Sequence, residues 1–526
     1  MPRQVADTES IRSGNRLAEL GYEQELVRGL SFWGVLGLAM GVLCLPFTAY
    51  AISVICFTEG GAVTFIYGWT IWGLLSLPMV VSLGEICSVF PVAAGTYYWC
   101  YALAPQRQKR LGSFINGFIL VVGMILSMLA TALPISQGVS TAILLYHPDY
   151  LIKAWIPYVI FVTLLLCSLF CCALGTVFLE RISRFGGIYV FLATAVTFIV
   201  PLAKSQSRHS IRWVLTNFES YSGWGNGTSF IIGLLGPAGV LIGFGFLPMM
   251  CEEVIHPATT MPRAMLANQV IAIIAGLIYI FGLLFTVPDA LSVVSAQLGQ
   301  SAYVIFGAAM DAPGGALALI IIQFSAAWFT LPGTLAAASR IVWAFARDGG
   351  LPGSKWLAVV HPKLKIPFNS MITVCIIDAL LGLISLGSSV AYAAFLSSCT
   401  IMCILAYCQP ILYNIIDRRR QMVGAPWSLG RAGWYLNVAS IAICIFGCVV
   451  FVLPLYLPVT VVDMNWAIVL LSGFSSIGLV YYAAWGRKVF KAPSLEPVVE
   501  DVSPGLEASV DEKAVVDVNV VSVLEA

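Results

Sequence analysis

The chain has 526 residues, of which 59% are apolar and only 10% are Asp, Glu, Lys or Arg, and its formal net charge is +1. This mixture excludes an ordinary soluble globular domain and indicates a chain that needs lipid as its solvent. Charge-free stretches of about 20 residues or more recur along the sequence, and this is the length that a helix needs to cross a bilayer.

Three regions follow from the distribution of polar residues. Residues 1–28 are polar and lack the apolar core of a cleavable signal peptide, so the first apolar stretch is expected to serve as the insertion signal. After Lys491 the chain turns acidic, which is typical of a disordered cytosolic extension. The sequence therefore predicts an N-terminal tail at 1–28, a helical membrane domain at 29–490 and an acidic tail at 491–526.

The number of membrane spans depends on three ambiguous segments. Residues 379–416 are too long for one helix, and together with 368–377 they divide at Leu386-Gly387-Ser388-Ser389, a turn signal, into spans nine and ten. Residues 86–106 are apolar but contain a proline and a glycine, and a basic cluster follows them at once. Residues 291–310 are equally ambiguous.

The distribution of positive charge decides between these possibilities. With twelve spans and neither 86–106 nor 291–310 crossing, 23 of the 27 Lys and Arg residues fall on the cytosolic side. Counting 86–106 as a crossing would place Arg107, Lys109 and Arg110 outside and invert every later loop. Because cytosolic loops carry an excess of Lys and Arg, the sequence predicts twelve spans with both termini cytosolic.

One Asn-x-Ser/Thr triplet, Asn226-Gly227-Thr228, falls in the predicted outer loop between spans five and six. A glycan could be added to Asn226 at this place. Since such triplets also arise by chance, the motif is only weak support for the orientation.

Glycine and proline interrupt two of the predicted spans. Span one contains Gly37-Leu-Ala-Met-Gly41-Val-Leu-Cys-Leu45-Pro46, and span six contains Gly243-Phe-Gly-Phe-Leu-Pro248. Such residues free backbone N–H and C=O groups, which are tolerated at membrane depth only beside protein or a wet cavity. Two broken helices five spans apart predict an inverted repeat of five helices, with a solute bound between the breaks. The alternative is a pair of packing kinks.

Few ionisable residues lie within the spans. Glu85 is near the inner end of span two, and Asp378 lies about ten residues into span nine. A carboxylate at membrane depth is a functional candidate by default. Each residue also has a structural interpretation that stays open. Glu85 could simply contact water or a basic loop, and Asp378 could be paired with another side chain or reach water.

Other chemistry is missing from the sequence. There is no HExxH arrangement, no zinc-type Cys-x-x-Cys pair, no Walker A loop and no dinucleotide fingerprint, so neither a metal nor a cofactor is expected. No nucleophile-base-acid set lies in the spans, which argues against an enzyme. Arg418-Arg419-Arg420 is interpreted as a topology anchor rather than a nucleic-acid site. Most of the 14 cysteines are interpreted as small buried hydrophobic residues.

Several motifs, in their order and spacing, carry a resemblance to a known family. They are Leu17-Ala-Glu-Leu-Gly-Tyr22, Gly84-Glu85 with Pro91 through Trp99, Cys251-Glu-Glu-Val254, Met261-Pro-Arg-Ala264, Ser339-Arg340 through Pro352, Leu386-Gly-Ser388 and Gly486-Arg-Lys488. The chain resembles fungal amino acid permeases, in the amino acid, choline and GABA branch of the amino acid-polyamine-organocation superfamily. The resemblance implies twelve helices, the first ten in two inverted repeats (spans one to five and six to ten). It also implies that the unwound parts of helices one and six hold the substrate.

The resemblance and the breaks together give a set of candidate substrate-binding residues. They are Met40, Gly41, Val42, Leu43, Gly243, Phe244, Gly245 and Trp328. Family members commonly carry an acidic residue after the aromatic residue of the helix-six break, but here the order is Gly243-Phe244-Gly245. A cationic substrate would lose an obvious partner there, unless aromatic residues such as Phe47 or Tyr50 supply a cation-π cage.

The leading hypothesis is a permease for an amino acid or related zwitterion that works by alternating access in the plasma membrane rather than the vacuolar membrane. The N–H groups around Gly41 to Leu45 would bind a carboxylate, and Phe244 would close over the solute. A proton is the expected driving ion, with Glu85 as the coupling candidate, because Ser325 in span eight lacks the adjacent hydroxyl of a sodium site.

Three alternatives to this substrate and role remain. The same fold could carry choline or a polyamine, or a specialised metabolite. A non-transporting nutrient receptor is less expected, since the two tails of about 28 and 35 residues are short. In every case the expected partners are a small-molecule solute and the lipid bilayer, and no nucleic acid.

Overall fold

The computed structural model describes Leu17, Leu20, Tyr22 and residues 28–205, 208–310, 312–387, 391–460 and 464–491. The acidic tail and most of the N-terminal tail lie outside these residues, so the predictions for them are untested. Within the described residues the regular elements are helices, joined by loops and by two isolated β-bridges.

Twelve helices among the described residues are long and apolar enough to cross a membrane. In chain order, spans one to twelve are Phe32–Thr58, Gly61–Val89, Lys109–Leu145, Trp155–Ala173, Val177–Lys204, Asn226–Glu253, Pro257–Thr286, Pro313–Arg347, Phe368–Leu386, Tyr392–Ile416, Ala432–Val450 and Ala467–Val489. The prediction of an all-α membrane protein with twelve spans is confirmed.

Residues 86–106 and 291–310, which the prediction did not count as spans, do not form membrane-spanning helices. Span two ends at Val89, and after a turn the short helix Thr96–Leu103 follows. Gly95 makes this turn with φ 56°, a left-handed conformation that glycine adopts without strain. Between spans seven and eight lie the short helices Ala290–Val294 and Ala302–Ala309, with the 3₁₀ turn Gln297–Gly299 between them.

Burial separates a central group of helices from a peripheral one. In spans one, three, six and ten, between 67% and 83% of the most apolar segment is buried, but in span twelve only 11% is buried. Spans one, three, six and ten therefore form the interior of the helix bundle. Span twelve lies at the periphery, where its apolar side chains face the lipid.

Spans two and seven show how the helices are held together without a hydrophobic effect between them. Trp69 Nε1 donates a hydrogen bond to the carbonyl of Ile273 at 3.3 Å, and Gln269 Nε2 donates to Ser76 Oγ at 2.7 Å. Gly276 lies beneath the indole of Trp69, where an added Cβ would be 2.3 Å from a ring carbon. Close approach at small residues and polar contacts between helices are the usual means of association in membranes.

Candidate functional site

Span one is broken at mid-length. It consists of the helices Phe32–Leu43 and Leu45–Thr58, which meet at Cys44 with φ 33°, a left-handed conformation. The hydroxyl of Thr48 donates to the carbonyls of Leu43 and Cys44 at 2.9 and 3.2 Å, which satisfies part of the freed backbone. The break predicted from the glycines and proline of this span is therefore present.

Span six is interrupted in the matching region. After the helix Leu235–Leu241 the chain continues as a 3₁₀-helix over Gly243–Glu253, which includes Pro248. Eleven residues are a long run for a 3₁₀-helix, which rarely exceeds three or four residues. Both predicted breaks exist and stand five spans apart, as an arrangement of two five-helix repeats requires.

A cavity of about 90 Å³ lies between the two breaks. Spans one, three, six, seven and ten form its walls, and polar side chains on them include Thr48, Ser127, Thr131, Asn268, Gln269 and Tyr392. None of the described residues that line it is Asp, Glu, Lys or Arg. The cavity is thus polar in part and carries no formal charge.

Three of the eight predicted binding residues line this cavity, namely Val42, Leu43 and Gly243. A Cβ added at Gly243 would meet no atom within 4 Å, so this position looks into open space. Met40 and Gly41 belong to the same helix end but are not among the lining residues. Whether any of the eight contacts a substrate stays a prediction.

Phe244 and Gly245 pack against Tyr407 of span ten. The rings of Phe244 and Tyr407 are 5.6 Å apart, and both side chains are buried. A Cβ at Gly245 would be 2.1 Å from Cζ of Tyr407. Gly245 therefore permits the approach of a buried aromatic ring, and Phe244 would have to rotate to reach a solute.

Trp328 lies at a break in span eight, where the helices Pro313–Trp328 and Thr330–Arg347 meet. It is half-buried against Phe329, with ring centroids 5.2 Å apart, and does not line the cavity. The hydroxyl of Ser325 contacts the Tyr189 hydroxyl at 2.7 Å rather than a neighbouring Ser or Thr. Of the two further aromatic candidates, Phe47 lines the cavity, but Tyr50 packs against Phe306.

Sequence reasoning missed the polar residues of span seven. Asn268 is 5% exposed and lines the cavity, and its Oδ1 has no hydrogen-bond partner among the described residues. An amide in an apolar membrane helix was the available signal, since an unpaired polar group in such a helix is unfavourable. Asn268 can accept a hydrogen bond from a bound solute.

A second cavity, of about 130 Å³, continues toward the end of the molecule that the charge distribution places outside. We call it the outer vestibule; Thr58, Leu298, Tyr392 and Asn465 are among the residues that line it. Ala51 and Tyr392 line both cavities, so these residues form the partition between them.

The opposite end is closed by buried ion pairs. Arg340 of span eight pairs with Glu253 at the end of span six, and both side chains are almost fully buried. Next to them, Arg347 Nη2 lies 3.4 Å from Oε1 of Glu252. These contacts join spans six and eight beneath the cavity, at the end assigned to the cytosol.

The N-terminal segment adds to this closure. The hydroxyls of Tyr22 and Tyr97 donate to Oδ2 of Asp348 at 2.9 and 2.8 Å, and the guanidinium of Arg347 lies 4.1 Å from the centre of the Tyr22 ring. Burial raises the pKa of Asp348 to about 6, although Arg347 and the two hydroxyls act in the opposite direction. Tyr22 therefore packs at the same end of the molecule as the ion pairs, the end that the charge distribution assigns to the cytosol.

Glu85 is fully buried and paired. Both of its carboxylate oxygens lie 2.7 Å from Nη2 of Arg419, and the N–H of Leu429 donates to Oε1 at 2.8 Å. These partners belong to the loop between spans ten and eleven, so Glu85 contacts a basic loop. This was the alternative interpretation, and a role of Glu85 in proton coupling stays a prediction.

Asp378 and Asn226 contrast in exposure. Asp378 is fully buried in span nine, and neither of its carboxylate oxygens has a hydrogen-bond partner among the described residues. Asn226 is the first residue of span six, and its side chain is exposed and free of steric obstruction. Glycosylation of Asn226 stays a prediction.

A small, partly polar cavity between two broken membrane helices, closed at one end and continued by a vestibule at the other, defines a membrane transporter of small solutes. The described residues contain no group of three His, Cys, Asp or Glu that could hold a metal ion.

Comparison with known proteins identifies the family. The family model described as amino acid permease matches residues 30–474, and the chain belongs to this family, in the amino acid-polyamine-organocation superfamily. The predictions of the superfamily and of a transport function are confirmed.

Curated relatives support the same conclusion over nearly the whole chain. The choline transporter of Saccharomyces cerevisiae is 29% identical over 89% of this chain and 84% of its own length. The amino-acid permease BAT1 of Arabidopsis thaliana is 28% identical over 91% and 95%, and amino-acid permease 2 of Neurospora crassa is 26% identical over 92% and 90%. All are transport proteins by name, which agrees with the prediction that the chain is not an enzyme.

Proposed function

We propose that this permease carries an amino acid or a related small zwitterion across a membrane by alternating access. The observation that carries the proposal is the uncharged cavity of about 90 Å³ between the two helix breaks. A cavity needs a volume of about 10–15 Å³ to hold one water molecule, so this cavity has room for roughly six to nine water-sized groups. A small amino acid or choline has this size, and a zwitterion brings no net charge into the uncharged walls.

The helix breaks supply opposite partial charges for the two ends of a zwitterion. The second half of span one begins at Leu45, whose N–H has no partner within its own half-helix. Pro46 has no N–H, and the N–H groups of Phe47 and Thr48 donate to the carbonyl of Cys44. The N–H of Leu45 and the positive end of this half-helix favour a carboxylate, whereas the carbonyl end of the helix that stops at Leu241 favours an ammonium group. Asn268 and Gly243 would contact the solute between these ends, together with Val42 and Leu43 from the sequence-based set.

The two ends of the cavity suggest which conformation is present. The ion pair of Arg340 with Glu253 closes one end, and the outer vestibule leads to the other. We assign this arrangement to an outward-facing state that is closed at Tyr392, with both termini in the cytosol and the protein in the plasma membrane. Proton coupling, with Glu85 as a candidate residue, and a glycan on Asn226 are parts of the same proposal.

Choline is the second candidate substrate. Phe47, Phe246 and Tyr392 lie in the cavity wall, and aromatic faces can bind a quaternary ammonium group by cation-π attraction. The Saccharomyces cerevisiae relative is named a choline transporter. The absence of a carboxylate among the lining residues is the observation that places choline second.

Uptake by a yeast strain that lacks its own amino acid and choline permeases would test the proposal. Radiolabelled alanine, GABA and choline are the probes, each measured with and without an excess of the other two. Saturable uptake of alanine or GABA that choline does not inhibit supports a zwitterion permease. Saturable uptake of choline alone would replace the leading proposal by the second one, and no uptake of any probe, with protein present at the surface, would overturn both.

A further inference from the structure

A carboxylate outside the described mechanism is buried at the outer end of the molecule. Glu59 follows the last residue of span one and precedes span two, and its side chain is fully buried. Its Oε2 accepts a hydrogen bond from Ser229 of span six at 2.7 Å. A single carboxylate thus joins the outer ends of the two broken helices.

Three serine hydroxyls connect this carboxylate to the surface. Ser220 and Ser222 contact Ser229 at 2.7 and 3.1 Å, and they contact each other at 2.9 Å. Ser229 is fully buried and Ser222 nearly so, but Ser220 is partly exposed. We call Glu59 and these serines the outer carboxylate cluster; it offers a continuous hydrogen-bonded path from the surface to Glu59.

The segment that carries Ser220 and Ser222 is fixed over the helix ends. The N–H of Tyr221 donates to the carbonyl of Thr58 at 2.8 Å, and Glu59 and Ser220 form an isolated β-bridge. A Cβ at Gly233 of span six would be 2.9 Å from Cβ of Glu59, so the helices are in close contact here. Thr58 also lines the outer vestibule, which places the cluster beside the route to the cavity.

Glu59 has no compensating cation in the part of the chain that the structure describes. Among the described residues no Lys, Arg or His side chain forms an ion pair or hydrogen bond with it, and its Oε1 has no hydrogen-bond partner. Its titratable neighbours are the buried thiol of Cys56, one turn earlier in span one, and the exposed carboxylate of Glu219, which accepts from the Tyr221 hydroxyl at 3.0 Å. An unpaired buried carboxylate is much less favourable when it is ionised than when it is the neutral acid.

We propose that Glu59 binds a proton from the outer solution through Ser220 and Ser229, and that the neutral acid holds the outer ends of spans one and six together. This inference rests on the proposed transport function and orientation. When Glu59 loses its proton, the charged side chain gains hydration by leaving the cluster, and the outer ends of the two spans separate. External acid therefore promotes closure of the outer end over a bound solute.

The pH range follows from the environment of Glu59. Burial raises its pKa to about 7, although the hydroxyls of Ser229 and Ser222 lower it in part. Because the pKa in the packed arrangement lies above the usual value for glutamate, the packed arrangement is favoured at low pH and is lost as pH rises through about 7. Acid stimulation of uptake should have its midpoint in this range.

A proton fits the cluster better than a metal cation does. The three serine hydroxyls are satisfied by one another and by Glu59, so they do not converge on an empty position with their oxygens. A hard cation would need several free oxygen ligands, but only Oε1 of Glu59 is free in the cluster.

The first test is spectroscopic and needs no substrate. Infrared difference spectra of the purified full-length protein in nanodiscs, between about pH 5 and about pH 9, would reveal carboxyl groups that lose a proton near neutrality. We expect a protonated-carboxyl band with a midpoint near neutral pH in the wild type, and its loss in Glu59→Gln. A spectrum of Glu59→Gln identical to that of the wild type would overturn the proposal, whether or not a substrate has been found.

The second test is the pH dependence of uptake of whichever probe, alanine, GABA or choline, the protein carries. Glu59→Gln imitates the neutral acid, so its uptake of the probe should no longer depend on external pH. Ser229→Ala removes a hydrogen bond to the carboxylate, which raises the pKa of Glu59, so the midpoint should move to higher pH. Glu219→Gln, the matched control on the exposed neighbour, should keep the wild-type response.

Two outcomes of the uptake test would contradict the proposal. One is a wild-type pH response in Glu59→Gln at normal surface abundance. The other is a response to sodium concentration rather than pH that disappears in Glu59→Gln, which would make the cluster a sodium site. Lack of uptake of any probe would remove the transport proposal but would leave the infrared result to decide the protonation of Glu59.

Discussion

Gly243 and Gly245 are two residues apart in span six, yet the structure assigns them opposite sensitivities to the same substitution. A methyl group at Gly243 would extend into the cavity without meeting an atom within 4 Å, whereas one at Gly245 would be 2.1 Å from Cζ of the buried Tyr407 ring. We therefore expect Gly243→Ala to change substrate affinity at normal stability. We expect Gly245→Ala to lower stability, because the ring or the helix must move.

The expected magnitudes follow from the two environments. Overpacking of a well-packed interior costs about 1–3 kcal/mol, so Gly245→Ala should lower the melting temperature and the yield of folded protein. One added methyl group in a binding pocket changes discrimination by about 1–3 kcal/mol, so Gly243→Ala should raise the half-saturation concentration of a well-fitting solute by roughly tenfold or more.

The assay compares three quantities for each variant: surface abundance, the melting temperature of the purified protein, and uptake kinetics. Gly243→Ala should retain the first two and change the third. Gly245→Ala should reduce the first two, and the protein that reaches the surface should keep its half-saturation concentration. The opposite pattern, with altered affinity in Gly245→Ala and normal affinity in Gly243→Ala, would refute the conclusion that Gly243 faces the binding cavity and Gly245 does not.

Three further predictions concern other sites. If Asn226 is glycosylated at the outer face, deglycosylation should shift the mobility of the wild type but not that of Asn226→Gln, and a tag on the C-terminus should resist protease added to intact cells. Glu85→Gln removes one partner of a buried ion pair and leaves Arg419 unpaired, so stability should fall by on the order of 3 kcal/mol and the melting temperature should be lower. If the folded fraction of this variant loses the pH response of uptake, that result would support the coupling role predicted for Glu85. Asn268→Asp places a carboxylate in the cavity and should favour choline over a zwitterion by on the order of tenfold in competition assays.

Much of the fold could be predicted from the sequence because membrane helices are subject to strong constraints. A bilayer fixes their length, and the Lys and Arg distribution decides which ambiguous segments cross. For this reason residues 86–106 could be excluded as a span before the short helix Thr96–Leu103 was seen. The breaks at Cys44 and after Leu241 were also predictable, since glycine and proline mark the points where a membrane helix can open.

The site was predicted less completely, because the identity of a residue does not reveal which way it points. In a helix with three residues per turn, positions two apart differ by about 240° in direction, so Gly243 can face the cavity while Gly245 faces Tyr407. The partners of Glu85 and Glu59 come from distant segments, at Arg419 and Ser229, and no local pattern connects them. Asn268 and Gln269 belong to no motif, so the only signal for them in the sequence is a pair of amides in an apolar membrane helix.

The 3₁₀-helix Gly243–Glu253 connects the cavity to the ion pair of Glu253 with Arg340, and it is longer than an α-helix of the same residues would be. At about 2.0 Å per residue its eleven residues span roughly 22 Å, but as an α-helix at about 1.5 Å per residue they would span roughly 16.5 Å. Rewinding the segment would therefore draw Glu253 about 5.5 Å, one α-helical turn, toward the cavity. Since Arg340 holds Glu253 from the neighbouring span, this shortening would either move span eight along with it or break the pair.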